Sequence, residues 1–102
     1  TEEAQLRSAI SRAYYALICK ARNHLRDVEQ HRIPPDGLAH SYVQTQFRNS
    51  RSKVRREIGR NLSRLRVARN QADNSDAVPA LPALTKAMRR LARRAMFLLD
   101  NL

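Results

Sequence analysis

With 102 residues and one cysteine, the chain is of single-domain size and has no partner thiol for an internal disulfide. Hydrophobic residues make up 42% of it, which excludes a disordered tail, and a formal charge of +11 excludes an acidic or neutral surface. Two glycines and four prolines leave Ala, Leu and Arg to dominate, which predicts helix throughout.

The charge is uneven. Residues 1–50 carry seven Lys/Arg against five Asp/Glu, whereas residues 51–102 carry thirteen against four. A half with that surplus attracts polyanions, nucleic acid first and anionic lipid second. The plainer alternative is a solvated basic surface or one that meets an acidic protein. No signal-like run opens the sequence and no apolar run is long enough to span a bilayer, so a cytoplasmic protein without a membrane partner is expected.

In chain order, Thr1-Glu2-Glu3 supplies a helix cap and two acids for the positive end of a helix dipole. Leu6, Ile10, Ala13, Leu17, Ala21, Leu25 and Val28 then recur at spacings of three and four, one apolar stripe on a long first helix. Cys19 falls in this run and is expected as a small core residue. Tyr14 and Tyr15 flank the stripe, one packing with its hydroxyl on a partner and the other nearer the surface. Gln30 to Gly37 break the helix, since Pro34-Pro35 forbids it and Asp36-Gly37 is a turn pair. A short second helix follows, with Leu38, Tyr42, Val43 and Phe47 as its apolar side. Residues 48–52 connect it to a third helix that starts near Lys53, with Ser52 as its cap.

On that third helix Val54, Ile58, Leu62, Leu65 and Ala68 or Arg69 continue the apolar pattern. Gly59 within it predicts close packing, because glycine there otherwise costs about 1 kcal/mol relative to alanine. The remaining faces carry Arg55, Arg56, Arg60, Arg64 and Arg66, with Glu57 the one acid before Asp73. Like charges at this spacing repel, so a binding anion would relieve them. Asn74 to Pro82 reads as a loop. The last helix starts near Pro82 and repeats Leu84, Met88, Leu91, Ala95, Leu98 and Leu102, with Lys86, Arg89, Arg90, Arg93 and Arg94 outside. Phe97 and Leu99 widen its apolar side, which suits a second subunit. No strand signal, repeat or low-complexity tract is present. The pattern predicts one all-α domain over residues 1–102, an up-and-down bundle of four main helices.

Several chemistries lack their residues. There is no Gly-rich phosphate loop, no paired-cysteine zinc spacing and no His pair at i, i+4, because His24, His31 and His40 are scattered. Neither a metal site nor a cofactor is expected. The densest polar stretch is Arg69-Asn70-Gln71-Ala72-Asp73-Asn74, where the basic helical pattern runs out. It reads as a phosphate-binding site built on a guanidinium, or as a helix end followed by turn residues.

Two segments add a resemblance. Ser11-Arg12-Ala13-Tyr14-Tyr15-Ala16 looks like the Ser-Arg-Ala-Tyr-Tyr-Ala signature of HEPN domains, and Arg69-Asn70-Gln71-Ala72-Asp73 resembles their later Arg-Asn-x-Ala-Asp-Tyr variant. The order of elements between them also agrees, so the resemblance spans nearly the whole chain. It implies an all-α bundle that forms a homodimer, with kinship to metal-independent endoribonucleases, many of them toxins or antiviral effectors. Some pair with a nucleotidyltransferase antitoxin. It further implies that Arg69 stabilises the phosphorane, that Asn70 is its polar neighbour, and that Arg12, Tyr14 and Tyr15 carry the signature. The family's general acid–base His has no counterpart: the matching positions are Asn74, Ser75 and Asp76, and Asn74 also replaces the variant's Tyr. His40 or His24 would have to supply an imidazole through the fold.

The functional expectation is a toxin-like or effector-like RNA-directed protein. Arg69, Asn70, Asp73 and Asn74 form its candidate centre, and Arg55, Arg56, Arg60, Arg64, Arg66, Arg90, Arg93 and Arg94 its RNA-binding surface. The alternative is a non-catalytic helical module that binds an acidic protein such as a nucleotidyltransferase antitoxin.

Overall fold

The computed structural model describes all residues, 1–102. Four helices carry the chain: α1 (Glu2–Asn23), α2 (Ala39–Arg48), α3 (Lys53–Asn74) and α4 (Leu81–Asp100), with no strand. The protein is thus the expected all-α bundle, and α1 packs against both α3 and α4. None of its helices is long and apolar enough to cross a membrane.

The start of α1 follows its sequence. The Thr1 hydroxyl accepts the Ala4 N–H at 3.1 Å, and Glu2 and Glu3 occupy the first turn. At its far end α1 widens into a π-helical turn, His24–Val28. This wider turn keeps Leu25 buried but leaves Val28 67% exposed, so the apolar stripe ends earlier than its spacing predicts. Glu29 follows and ties the turn down. Its carboxylate accepts from His24 Nε2 at 2.8 Å and from the Arg55 guanidinium, which also stacks on the Phe47 ring at 4.6 Å.

Residues 30–35, stiffened by Pro34-Pro35, then lead through a 3₁₀ turn, Asp36–Leu38, into α2. Leu38 is exposed and joins no apolar face. Tyr14 lies beside His40 and His24 beside Phe47, so α1 and α2 run in the same direction. Strict alternation of helix direction therefore begins only at α2, because the connector doubles back along α1. Arg7 near Ala72 and Arg55 near Glu29 show α3 antiparallel to α1. An ion pair between Lys20 and Asp100 at 2.6 Å shows α4 parallel to it.

Ser52 caps α3, its hydroxyl accepting the Arg55 N–H at 3.2 Å. Val54, expected in the stripe, is 41% exposed because it lies in the first turn, beyond the core. On α4 the buried face is Leu81, Thr85, Met88, Ala92, Ala95, Leu98 and Leu99, rotated from the one that leucine spacing suggests. Leu84 and Leu91 are half-buried and Leu102 is exposed. Two features allow the rotation. Thr85 turns its hydroxyl back to the Leu81 carbonyl at 2.8 Å, which satisfies it in the core, and Ala92 and Ala95 permit close approach. Nineteen buried apolar residues form one core, with Tyr14, Phe47 and Ile10 among the largest.

At Gly59, α3 comes close against the end of α2. A Cβ there would lie 2.6 Å from the Arg48 backbone nitrogen and 2.9 Å from its Cα. Backbone cannot give way as a side chain can, so the clash outweighs the roughly 1 kcal/mol of helix propensity that alanine adds. Gly59→Ala is expected to destabilise the fold by about 1–3 kcal/mol, read as a lower midpoint in urea or thermal unfolding. An unchanged or raised midpoint would show that this contact relaxes freely.

Candidate functional site

Arg69 lies within the last two turns of α3, which runs on to Asn74, so Asp73 and Asn74 are helical rather than part of a turn. Its guanidinium reaches across to α1. Nη1 donates to the Tyr15 hydroxyl at 3.2 Å, and the charged carbon sits 5.1 Å from the Tyr14 ring centroid and 5.4 Å from that of Tyr15. Asp73, one turn on, lies 3.7 Å from Nη1, beyond good hydrogen-bond length. The Arg69 Nε is buried and has no partner. A cation on two ring faces is held largely by aromatic quadrupoles, which leaves much of its hydrogen-bonding capacity unused.

Tyr14 is fully buried, and its hydroxyl is 3.0 Å from His40 Nδ1. The His40 ring also meets Tyr15 edge-on at 6.0 Å. Burial pushes the Tyr14 phenol above its ordinary pKa, although Arg66 and Arg69 pull it the other way. For His40, burial and then the cations Arg66, Arg69 and Arg22 all push below the ordinary value of 6.5. The imidazole is therefore neutral at pH 7. Tyr14, Tyr15, His40 and Arg69 thus form one constellation, with Arg66 and Arg22 around it.

The structure brings together the two stretches singled out in the sequence, 54 residues apart. It does not gather every candidate. Arg12, Asn70 and Asn74 are exposed and stand outside the hydrogen-bonded cluster, as does Ser75. Among the basic residues, Arg55 and Arg56 are turned inward. Arg55 serves Glu29, Phe47 and the Ser50 hydroxyl, and Arg56 donates to the carbonyls of Ser50 and Arg51 at 3.0 and 2.8 Å. Arg94 pairs with Glu57 at 2.9 Å. Arg60, Arg64, Arg90 and Arg93 are exposed and form no ion pair, and Arg66 is half-buried beside His40. Lys86, Arg89, Arg90 and Arg93 share one concavity with Leu6, Pro82 and Thr85.

One residue escaped the sequence reading. Arg7 Nη1 donates to the carbonyls of Ala72 and Ser75 at 2.8 and 2.7 Å, and Nη2 to that of Asp76 at 3.1 Å. It caps the end of α3 from α1 and fixes the segment directly after Arg69. Its only sequence signal is Glu3 one turn earlier, an ordinary helix pair.

No three His, Cys, Asp or Glu side chains are gathered closely enough to hold a metal ion. The hollow beside His40, lined by Cys19, Arg22 and Ala39 among others, has a volume of about 10 Å³, too small for an organic ligand. Whatever binds at this site binds across its surface. No family model, curated protein or solved structure matches the chain.

Two outcomes test this geometry. Arg7→Ala should lower stability by about 1–3 kcal/mol, the scale for losing charged hydrogen bonds to part-buried carbonyls. Faster amide exchange should then concentrate at residues 72–76. For His40 the unfolded state binds its proton more tightly, so stability is complete above pH 6.5 and falls as pH drops towards the lower folded value. Wild type should therefore lose more stability than His40→Gln between pH 7 and pH 5 in parallel urea titrations.

Proposed function

We propose that this chain is a HEPN-like, RNA-directed cytoplasmic domain in which Arg69 binds an RNA phosphate. One observation carries the reading. The Arg69 guanidinium, in the motif-like Arg-Asn-Gln-Ala-Asp stretch, packs on Tyr14 and Tyr15 of the Ser-Arg-Ala-Tyr-Tyr-Ala stretch. Arginine suits this role because it stays charged and offers a planar fork of donors to a phosphate. Two neighbouring tyrosines also give unpaired bases aromatic surface, and Tyr15 is 43% exposed. The unpaired Arg60, Arg64, Arg90 and Arg93 supply further phosphate contacts, whereas the inward contacts of Arg55 and Arg56 favour a structural role for them. Exposed Val67 and Phe97 are compatible with a homodimer that sets two copies of the site together.

A second reading has its own support. Asp73 stands beside Arg69, and Asn70 and Asn74 contribute no titrating group. In that reading the basic faces dock an acidic protein, such as a nucleotidyltransferase antitoxin, and no RNA is bound.

Binding of a mixed-sequence single-stranded RNA separates the two. If four phosphates are neutralised, affinity should fall about fifty-fold between 50 and 200 mM salt. Arg69→Ala should weaken binding about tenfold and lower the slope of log affinity on log salt by about 0.7. No RNA retention at 50 mM salt would reject the reading in favour of the protein-docking one.

A further inference from the structure

Five cations lie on α4, and only Arg94 has a carboxylate partner, Glu57 at 2.9 Å. The one acid of this helix, Asp100, is taken by Lys20 of α1. Lys86, Arg89, Arg90 and Arg93 are left exposed, and with Leu6, Pro82 and Thr85 they line a groove of about 310 Å³ between α4 and α1. No acid lines it. Glu2 and Glu3 line the next hollow instead, beyond Leu6 and Pro82, and Glu3 is paired with Arg7. The four cations fall within about two helical turns, at spacings of three and four residues, so they repel one another until an anion sits among them. The groove also stands apart from the Arg69 site. From Leu6 to Tyr15 is about two and a half turns of α1, which sets them on opposite sides of that helix. Tyr15 and Arg69 stand on the side that α2 covers, where Tyr15 meets His40, and the groove lies on the side that α4 covers.

We propose that this groove is a second nucleic-acid site, which holds the phosphates of one strand and reads neither sugar nor base. The inference rests on the nucleic-acid reading given above and gives the polymer a second place to bind. Charge and spacing carry it. Lys86 and Arg90, and likewise Arg89 and Arg93, stand one helical turn apart, about 6 Å along the axis. Successive phosphates of a nucleic-acid strand lie at a similar distance, because a whole sugar separates them. The phosphates of an inorganic chain share an oxygen and crowd closer together. Leu6 and the Pro82 ring offer apolar surface to the sugar carbons between two phosphates. Thr85 commits its hydroxyl proton to the Leu81 carbonyl at 2.8 Å, so the floor offers no donor that distinguishes ribose from deoxyribose. Glu2, beyond Pro82, repels a strand at that end, and the strand continues past Arg93. Two stretches of nucleic acid are then held on opposite sides of α1. A strand gripped in the groove also raises the effective concentration of its own remainder at Arg69.

The test titrates four proteins at 50 mM salt with a labelled single strand of about six nucleotides, made as RNA and as DNA. The proteins are wild type, Arg69→Ala, the double variant Arg89→Gln with Arg93→Gln, and the double variant Arg89→Lys with Arg93→Lys. Wild type should take two strands per chain. The Gln variant should take one, with an unchanged unfolding midpoint because both side chains are exposed. Arg69→Ala should keep the strand in the groove with affinity within about twofold, for RNA and DNA alike, since the two sites share no residue. The Lys variant should bind within about threefold of wild type, because lysine meets a phosphate as a point charge. Two strands on the Gln variant would overturn the inference, as would a Lys variant as weak as the Gln one. Displacement from the groove by inorganic polyphosphate or polyglutamate more readily than by unlabelled strand, at equal charge, would also overturn it. One strand on wild type that Arg69→Ala removes and the Gln variant keeps leaves the Arg69 reading standing without the groove. The reverse pattern leaves the groove without the Arg69 reading, and no binding by any of the proteins removes both.

Discussion

A shortage of carboxylates constrains this whole structure. Twenty basic side chains face nine acidic ones, so most arginines cannot be neutralised by ion pairs. Those drawn inward are accommodated by other means. Arg7 and Arg56 donate to backbone carbonyls, and Arg55 combines one carboxylate, one hydroxyl and one ring face. Arg69 has two ring faces and a tyrosine oxygen. Each solution suits a planar, weakly hydrated cation and would suit lysine poorly. The remaining arginines stay outside, where water screens them.

The shape of the bundle makes this possible. Its extents are 42 × 26 × 18 Å, so along its thinnest direction it is no more than two helices deep. Every helix keeps an outer face, and the apolar core is a sheet of contacts rather than a ball. Small residues thin it further: Gly59 against Arg48, and Ala92 and Ala95 on the inner face of α4. That thinness brings Tyr15, Arg69 and His40, from three different helices, within reach of one another near the surface.

Much of the fold was legible because helical periodicity is a local signal. The cap at Thr1, the cap at Ser52, the break at Pro34-Pro35 and the tight approach at Gly59 each follow from residue chemistry within one or two turns. Three features were not legible for the same reason. The π-helical turn that exposes Val28 has no residue signature, and the rotated face of α4 depends on Thr85 satisfying its own hydroxyl. The parallel course of α1 and α2 is set by a connector that could have led elsewhere. For the candidate site, the sequence pointed to Arg69 and to the tyrosine pair separately. Their contact spans 54 residues, and the tie from Tyr14 to His40 spans 26, distances at which spacing carries no information. Asn70 and Asn74 matched or replaced motif positions by spacing alone, and the fold leaves both exposed.

The Arg7 contact with the end of α3 has a consequence for how this surface answers to acidity. Carbonyl oxygens carry no proton to lose, and a guanidinium keeps its own across the whole range in which proteins stay folded. The bonds that fix Ala72 to Asp76 thus contain no titrating group of their own, and the one carboxylate beside them is Glu3, paired with Arg7 on the exposed side. The opposite wall of the constellation, Tyr14 with His40, does contain one. A change in acidity alters the charge on one side of Arg69 while the other side holds its geometry, so any response of the site to protons is chemical rather than mechanical.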